Sequence, residues 1–214
     1  MPQTNTKKAE KRTQERSEQT QDSILAAATR LFSELGYDGV TVSDIEKLAD
    51  VHRGLVAYHF SDKETLWKTV TDRSFNHMSG EFRQRLSMLK EVSKQERLAL
   101  IVRFYVHFNA QHPEVSALVS QEARKKTWRN EYLVDHHVRR ACDSMEALAN
   151  EILGLDRETF IHWYYILISA SSTLFYFAPE CELLFGVDSR SEAVVQRHAE
   201  LLVGMLANPK APLS

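Results

Sequence analysis

Turn-forming residues are scarce in this chain. Glycine (7) and proline (5) make up about 6% of its 214 residues, half the roughly 12% of average usage. An all-β sandwich or barrel needs a turn about every 8–12 residues and is excluded on that ground. The expected fold class is all-α. Cysteine is rarer still: Cys142 and Cys181 form neither a metal-type spacing nor a disulfide framework, which points to a reducing, cytoplasmic setting. Net charge is only −2, so no global field draws the chain to nucleic acid or to an anionic membrane, and any such site must be a local patch. The longest apolar run, Ile161 to Phe177, is broken by a Ser/Thr cluster and includes His162, so no membrane span is expected. No apolar stretch follows the polar, basic N-terminus, and no secretory leader is expected. Motifs of the HExxH, Gly-x-Ser-x-Gly, CxxC and phosphate-loop kinds are all missing. The chain is therefore expected not to be an enzyme, and to have no cofactor and no metal site. His107, His136, His137 and His162 lack any diagnostic ligand spacing.

What is present is an ordinary globular balance, 43% hydrophobic and 26% charged, patterned for helices. Residues 1–19 carry Lys7, Lys8, Lys11, Arg12 and Arg16 with no large apolar residue after Met1. They cannot bury enough surface to offset their ordering entropy, and are expected to form a flexible basic arm. Ile24, Leu25, Ala28, Leu31, Phe32 and Leu35 then fall at helical spacing, with Gly36 as a stop. Thr41 or Ser43 caps a short helix, and Asp44 and Glu46 suit its first turn by the helix dipole. After the Asp50–Gly54 interruption a second short helix is expected over about 53–59. Ser61 or Asp62 opens a long amphipathic helix carrying Leu66, Trp67, Val70 and Phe75. Further helices are expected at about 81–92, 94–111, 114–126, 129–153, 158–178 and 190–207. The resulting layout is a domain at 20–66, a larger helical domain at 67–207 and a frayed tail at 208–214.

Helix, tight turn and second short helix between Thr41 and Phe60 form a helix-turn-helix pattern, in which a bracing helix holds another at an angle that suits the DNA major groove. Val42, Ile45, Leu48 and Ala49 give the first helix its buried face. Val51, Leu55, Val56 and Phe60 do so for the second. That leaves His52, Arg53, Ala57, Tyr58, His59 and Lys63 pointing outward, while Gly54 reads as a close-packing position between the helices. Residues 1–73 contain 11 Lys/Arg and 12 Asp/Glu, so DNA binding would rest on the placement of charge rather than its total.

The run Leu31-Phe32-Ser33-Glu34-Leu35-Gly36-Tyr37-Asp38-Gly39-Val40-Thr41-Val42-Ser43-Asp44-Ile45, continued through Gly54-Leu55, Tyr58-His59-Phe60, Lys63-Glu64 and Leu66, resembles the DNA-binding domain of TetR-family transcriptional regulators. The resemblance covers roughly residues 20–70. It departs at Asp50, where the family usually has Gly, and at Ala57, where it usually has Tyr. Asp tolerates a left-handed turn, and Ala57 can meet a thymine methyl. The resemblance implies a three-helix helix-turn-helix domain joined to a larger helical ligand-binding and dimerisation domain. It also implies DNA contacts from Thr41, His52, Arg53, Ala57, Tyr58, His59 and Lys63. Of these, His52 and Arg53 suit base edges, and His59 and Lys63 suit phosphates.

In the larger domain, 158–178 is apolar all round, so both its faces need covering. The 190–207 helix carries a stripe of Val194, Val195, His198, Leu201, Leu202 and Met205. Paired with their copies, these two helices would make a four-helix dimer face. An effector pocket is expected among the middle helices, with Glu122, Trp128, Tyr132, His136, Trp163 and Phe175 as its candidate lining and His107, Gln121, Arg124 and Tyr164 as lesser candidates. The function that follows is a ligand-responsive repressor, homodimeric on a palindromic double-stranded DNA operator and released by a small-molecule effector. An activator of the same architecture, or a ligand-binding scaffold with weakened DNA binding, are the alternatives.

Overall fold

The computed structural model describes the backbone of residues 3–87 and 93–207, with side chains from residue 14 onward except that of residue 86. The tail at 208–214 and part of the helix expected at 81–92 lie outside the described residues. Those described form helices and connecting turns without a strand. The chain divides into two compact units at Ser74–Phe75, a border later than the 66/67 expected and one that falls inside a helix.

The first unit holds α1 (Gln3–Leu35), α2 (Val42–Leu48), α3 (Leu55–Phe60) and the start of α4 (Lys63–Ser87). Of the flexible arm expected at 1–19, residues 3–19 are instead the first part of α1, and residues 1 and 2 lie outside the described residues. That stretch has no Gly or Pro after Pro2 and is rich in Lys, Glu, Gln and Arg, all good helix formers. It also extends an apolar helix that is already nucleated, so no second nucleus is needed. Gln14 donates to Glu18 one turn on, at 3.1 Å. Ile24, Ala28, Phe32, Val40, Ile45, Val56, Leu66 and Trp67 make the core of this unit, each at most 1% exposed.

The second unit holds the rest of α4, then α5 (Lys94–Gln111), α6 (Pro113–Ala123), α7 (Trp128–Leu133), α8 (Arg139–Leu153), α9 (Arg157–Tyr176), α10 (Ala178–Phe185) and α11 (Glu192–Leu206). Gly80 does not end α4, which runs through it. The helix expected at 129–153 is split by a wide π turn over Val134–Val138. Pro179 opens α10 rather than merely breaking the chain, because its missing N–H is no loss in a first turn. Leu98, Val102, Val106, Phe160, Leu167 and Ala199 lie among the buried residues at the centre.

Candidate nucleic-acid interface and interior cavity

The candidate reading helix is built from α2 upward. Thr41 caps α2: its hydroxyl accepts from the Asp44 N–H at 3.2 Å, and Asp44 Oδ2 accepts from the Thr41 N–H at 2.9 Å. These hydrogen bonds hold the Asp44 carboxyl below its ordinary value. Glu46 does not serve the dipole of α2 as expected; it is buried and acts on α3. Its Oε1 accepts from the backbone N–H of Gly54 at 2.7 Å and of Val56 at 3.3 Å. A carboxylate from the bracing helix thus satisfies donors that the six-residue α3 cannot satisfy itself. Gly54 has φ +92°, and a Cβ added there would meet nothing within 4 Å. The glycine is required by backbone conformation and not by close packing, which corrects the sequence reading. Asp50 adopts φ +53°, the left-handed turn it was expected to tolerate.

On this support Val56 and Phe60 face inward while His52, Arg53, Ala57 and Tyr58 are exposed, Tyr58 by 79%. His59 is half-buried, with Nδ1 3.2 Å from Gln21 Nε2 on α1, so α1 helps fix the orientation of α3. Lys63 lies with Nζ 4.1 Å above the Tyr37 ring, an arrangement that holds the ammonium at one place. Asp62 caps α4 by accepting from the Thr65 N–H at 2.7 Å, and its carboxyl is lowered by that bond. Six acidic residues of this unit are engaged by groups within it. Asp44 and Asp62 cap helices, Glu46 is buried, and Asp22, Glu34 and Glu64 pair with Arg73, Arg30 and Lys68. His52 and Arg53 are exposed in the turn that leads into α3, which begins at Leu55, two residues later than the expected 53.

In the second unit a cavity of about 220 Å³ lies among α4, α5, α6, α8, α9 and the π turn. Its walls carry apolar Phe75, Met78 and Phe108, two phenols (Tyr105 and Tyr164), the Asn109 amide and hydroxyls from α6 and α9 such as Ser116 and Thr173. Burial pushes the Tyr105 phenol up to about 12 and raises that of Tyr164 as well, so both stay protonated and can donate a hydrogen bond. His137, the one histidine among the described lining residues, stacks on Phe75 at 4.6 Å between centroids.

None of the six residues first expected to line an effector pocket borders this cavity. Glu122 and Arg129 form a buried ion pair at 2.8 Å, their side chains 6% and 8% exposed. Trp128 lies beside the Arg129 guanidinium. Trp163 donates Nε1–H to the Leu206 carbonyl at 3.0 Å, and Phe175 is in the core. Tyr132 stacks on His136 at 4.1 Å, and His136 is exposed. Within the π turn, His137 and Val138 line the cavity and His136 does not. Tyr164 alone of the lesser candidates lines this cavity, while Gln121 and Arg124 border a separate surface hollow with Lys125 and Tyr176. His107 sits where burial lowers its pKa, near Arg85 and Arg103.

Residues 24–70 match the family model described as bacterial regulatory proteins, tetR family. Over 146 residues, 67% of this chain and 62% of the relative, the sequence is 29% identical to the HTH-type transcriptional repressor NicS of Pseudomonas putida. Over 56 residues, 26% of this chain and 30% of the relative, it is 38% identical to the biofilm operon icaADBC HTH-type negative transcriptional regulator IcaR of Staphylococcus epidermidis. Both matches span less than two thirds of the relative's length. Among solved structures the fold is similar to that of the transcriptional regulator FadR from Bacillus subtilis in complex with stearoyl-CoA. The TM-score is 0.60 at 18% identity, covering 85% of this chain and 96% of that one. At that identity the likeness is one of fold. No described helix is long and apolar enough to cross a membrane.

Proposed function

We propose that the chain, whose residues 24–70 match the tetR family of bacterial regulatory proteins, is a cytoplasmic transcriptional repressor of that family. It acts as a homodimer on a palindromic operator and is released by a small-molecule effector. The observation that carries this reading is α3 with the turn before it: a short helix whose N-terminus is held by Glu46, with Ala57 and Tyr58 exposed on the helix and His52 and Arg53 exposed in the turn. His52 and Arg53, at its head, read base edges; Thr41, His59 and Lys63 position the unit on phosphates.

Dimerisation is supported by apolar surface that the chain itself leaves uncovered. One face of α9 is buried through Phe160, Trp163 and Leu167, whereas Ile161, Tyr165 and Ile166 are exposed on the other. Leu201 and Met205 of α11 are exposed as well. A second copy pairing α9 and α11 with their equivalents covers these side chains, and a palindromic operator read by two such helices calls for half-sites one duplex turn apart, about 34–36 Å.

The effector site is the cavity beside Tyr105, Asn109 and Tyr164, which suits a small, mostly apolar molecule with one or two hydrogen-bonding groups. Effector binding there shifts the second unit, and α4, continuous from Lys63 to Ser87, is the connecting element. A tenfold loss of DNA affinity needs a coupling of only about 1.4 kcal/mol.

Selection of bound sequences from random double-stranded DNA, repeated with candidate metabolites, tests the reading. The expected result is an enriched inverted repeat whose retention falls when the effector is added. Failure to enrich any sequence would favour a ligand-binding scaffold, and enrichment followed by increased transcription from a reporter would favour an activator.

A further inference from the structure

We propose that His77, Glu81 and His112 form a binding site for a divalent first-row transition-metal ion, with Zn²⁺ as the best-suited occupant. The three side chains each offer one donor atom, and these atoms all lie within 4.8 Å of one another. His77 and Glu81 are one turn apart on α4 and so share a face; His77 Nε2 lies 3.0 Å from Glu81 Oε1. His112 reaches the same oxygen through Nε2 at 3.9 Å. Bonds of about 2.0–2.1 Å to tetrahedral Zn²⁺ place neighbouring donors roughly 3.3 Å apart. The observed separations bracket that value, so small side-chain rotations close the site.

The surroundings are those a metal centre needs beyond its ligands. Glu81 Oε2 lies 3.6 Å from the Arg85 guanidinium, which holds the carboxylate with Oε1 toward the imidazoles. Glu114 Oε1 lies 3.4 Å from His112 Nδ1, placed to accept its proton and leave Nε2 with the free lone pair, the carboxylate–histidine–metal arrangement. His112 sits at the α5–α6 corner, ahead of Pro113, with its N–H bonded to the Phe108 carbonyl at 2.8 Å. Both imidazoles lie against the buried Phe108 ring, at 4.8 Å for His112 and 6.3 Å for His77. That ring forms an apolar wall behind the site and shields one side of it from water. Two imidazoles and one carboxylate favour Zn²⁺ and its neighbours over Ca²⁺ or Mg²⁺, which select all-oxygen sets. The remaining position stays open to water or an exogenous donor. The bound ion ties α4 to the α5–α6 corner.

This grouping revises the expectation that the chain has no metal site. His77 and Glu81 are close in sequence, but His112 is brought to them by the fold alone. The proposal rests on the second unit and not on the DNA-binding reading.

The test is titration of the chelator-stripped full-length chain with Zn²⁺ against a chromogenic indicator, with Co²⁺ absorption as a second readout. One ion per chain is expected, with visible Co²⁺ bands of a low-coordinate nitrogen/oxygen site. Affinity should fall at least 100-fold in His77→Gln and His112→Gln, and about 10–100-fold in Glu114→Gln. His136→Gln and His162→Gln should bind as the parent does. Far-UV circular dichroism in the absence of metal identifies any variant that fails to fold; the parent chain and Glu114→Gln then decide. A parent chain that does not compete with the indicator at micromolar Zn²⁺ overturns the proposal. So does undiminished binding in a folded His77→Gln/His112→Gln double variant.

Discussion

Glu46 and Gly54 are joined by a 2.7 Å hydrogen bond from the glycine N–H to the glutamate Oε1, and this bond fixes the start of α3. It links the bracing helix to the exposed one across a turn that no side chain of α3 itself caps. Replacing Glu46 by Ala leaves the Gly54 and Val56 N–H groups unsatisfied and should destabilise the first unit by about 2–3 kcal/mol. Glu46→Gln keeps an acceptor and should cost about half as much. Urea denaturation read by circular dichroism measures both, and equal losses for the two variants would argue against the hydrogen bond as the cause.

The two glycines flanking α2 should respond for different reasons. Gly54→Ala meets no atom but is forced to φ +92°, so about 1–2 kcal/mol is lost to backbone strain, and Gly54→Asn should lose less. A Cβ at Gly39 would lie 2.6 Å from the Leu35 carbonyl oxygen, a clash with backbone that Asn cannot relieve, so Ala and Asn should be similarly damaging there, by about 1–3 kcal/mol. Denaturation midpoints of the four variants separate the mechanisms.

Glu122 and Arg129 act as a structural pair. Glu122→Ala leaves a buried guanidinium without its carboxylate and should cost about 3–5 kcal/mol of stability. Tyr164→Phe, in the cavity wall, removes one donor and should alter effector binding with little change in stability. Thermal unfolding of each variant, with and without an identified effector, checks the division of roles.

Acid sensitivity follows from the helix caps. Hydrogen bonds from Thr41, Thr65, Ser93 and Thr159 depress the carboxyls of Asp44, Asp62, Glu96 and Asp156. A depressed folded pKa contributes stability above the unfolded value, about 4, and loses it as pH falls toward the folded one. Stability should therefore decline below about pH 4 and stay flat in this respect above pH 5 or so. Asp44→Asn and Asp62→Asn should each make the acid limb shallower. Urea midpoints measured from pH 2.5 to 6 give the slopes.

Much of the first unit could be read from residue order because its signals are local. The Thr41 cap, the Gly36 stop, the left-handed turn at Asp50 and the inward set of Val56 and Phe60 depend on neighbours a few positions apart. The outward set His52, Arg53, Ala57 and Tyr58 follows from the same periodicity. Glu46 escaped because its partners lie eight and ten residues on, across a turn, where dipole reasoning assigns it to its own helix. The pocket candidates are aromatic rings beside hydrogen-bonding groups, a criterion that does not distinguish cavity lining from core or surface. Aromatic and polar residues such as Trp163, Glu122 and Trp128 invite a ligand-binding reading, yet each is engaged by the chain itself. The continuation of α1 back to Gln3 was missed because burial was the criterion, whereas propensity and an existing nucleus suffice.

The central claim is that α3 reads DNA, and salt-dependent binding to the selected operator by Arg53→Ala and Lys63→Ala tests it most directly. Arg53→Ala should lose about 1–3 kcal/mol on the preferred sequence and discriminate less at one base pair per half-site. Lys63→Ala should weaken all sequences alike and lower the slope of log affinity against log salt by about 1 per half-site. If both variants bind every operator variant as the parent does, with an unchanged salt slope, α3 is not the reading element and the account fails.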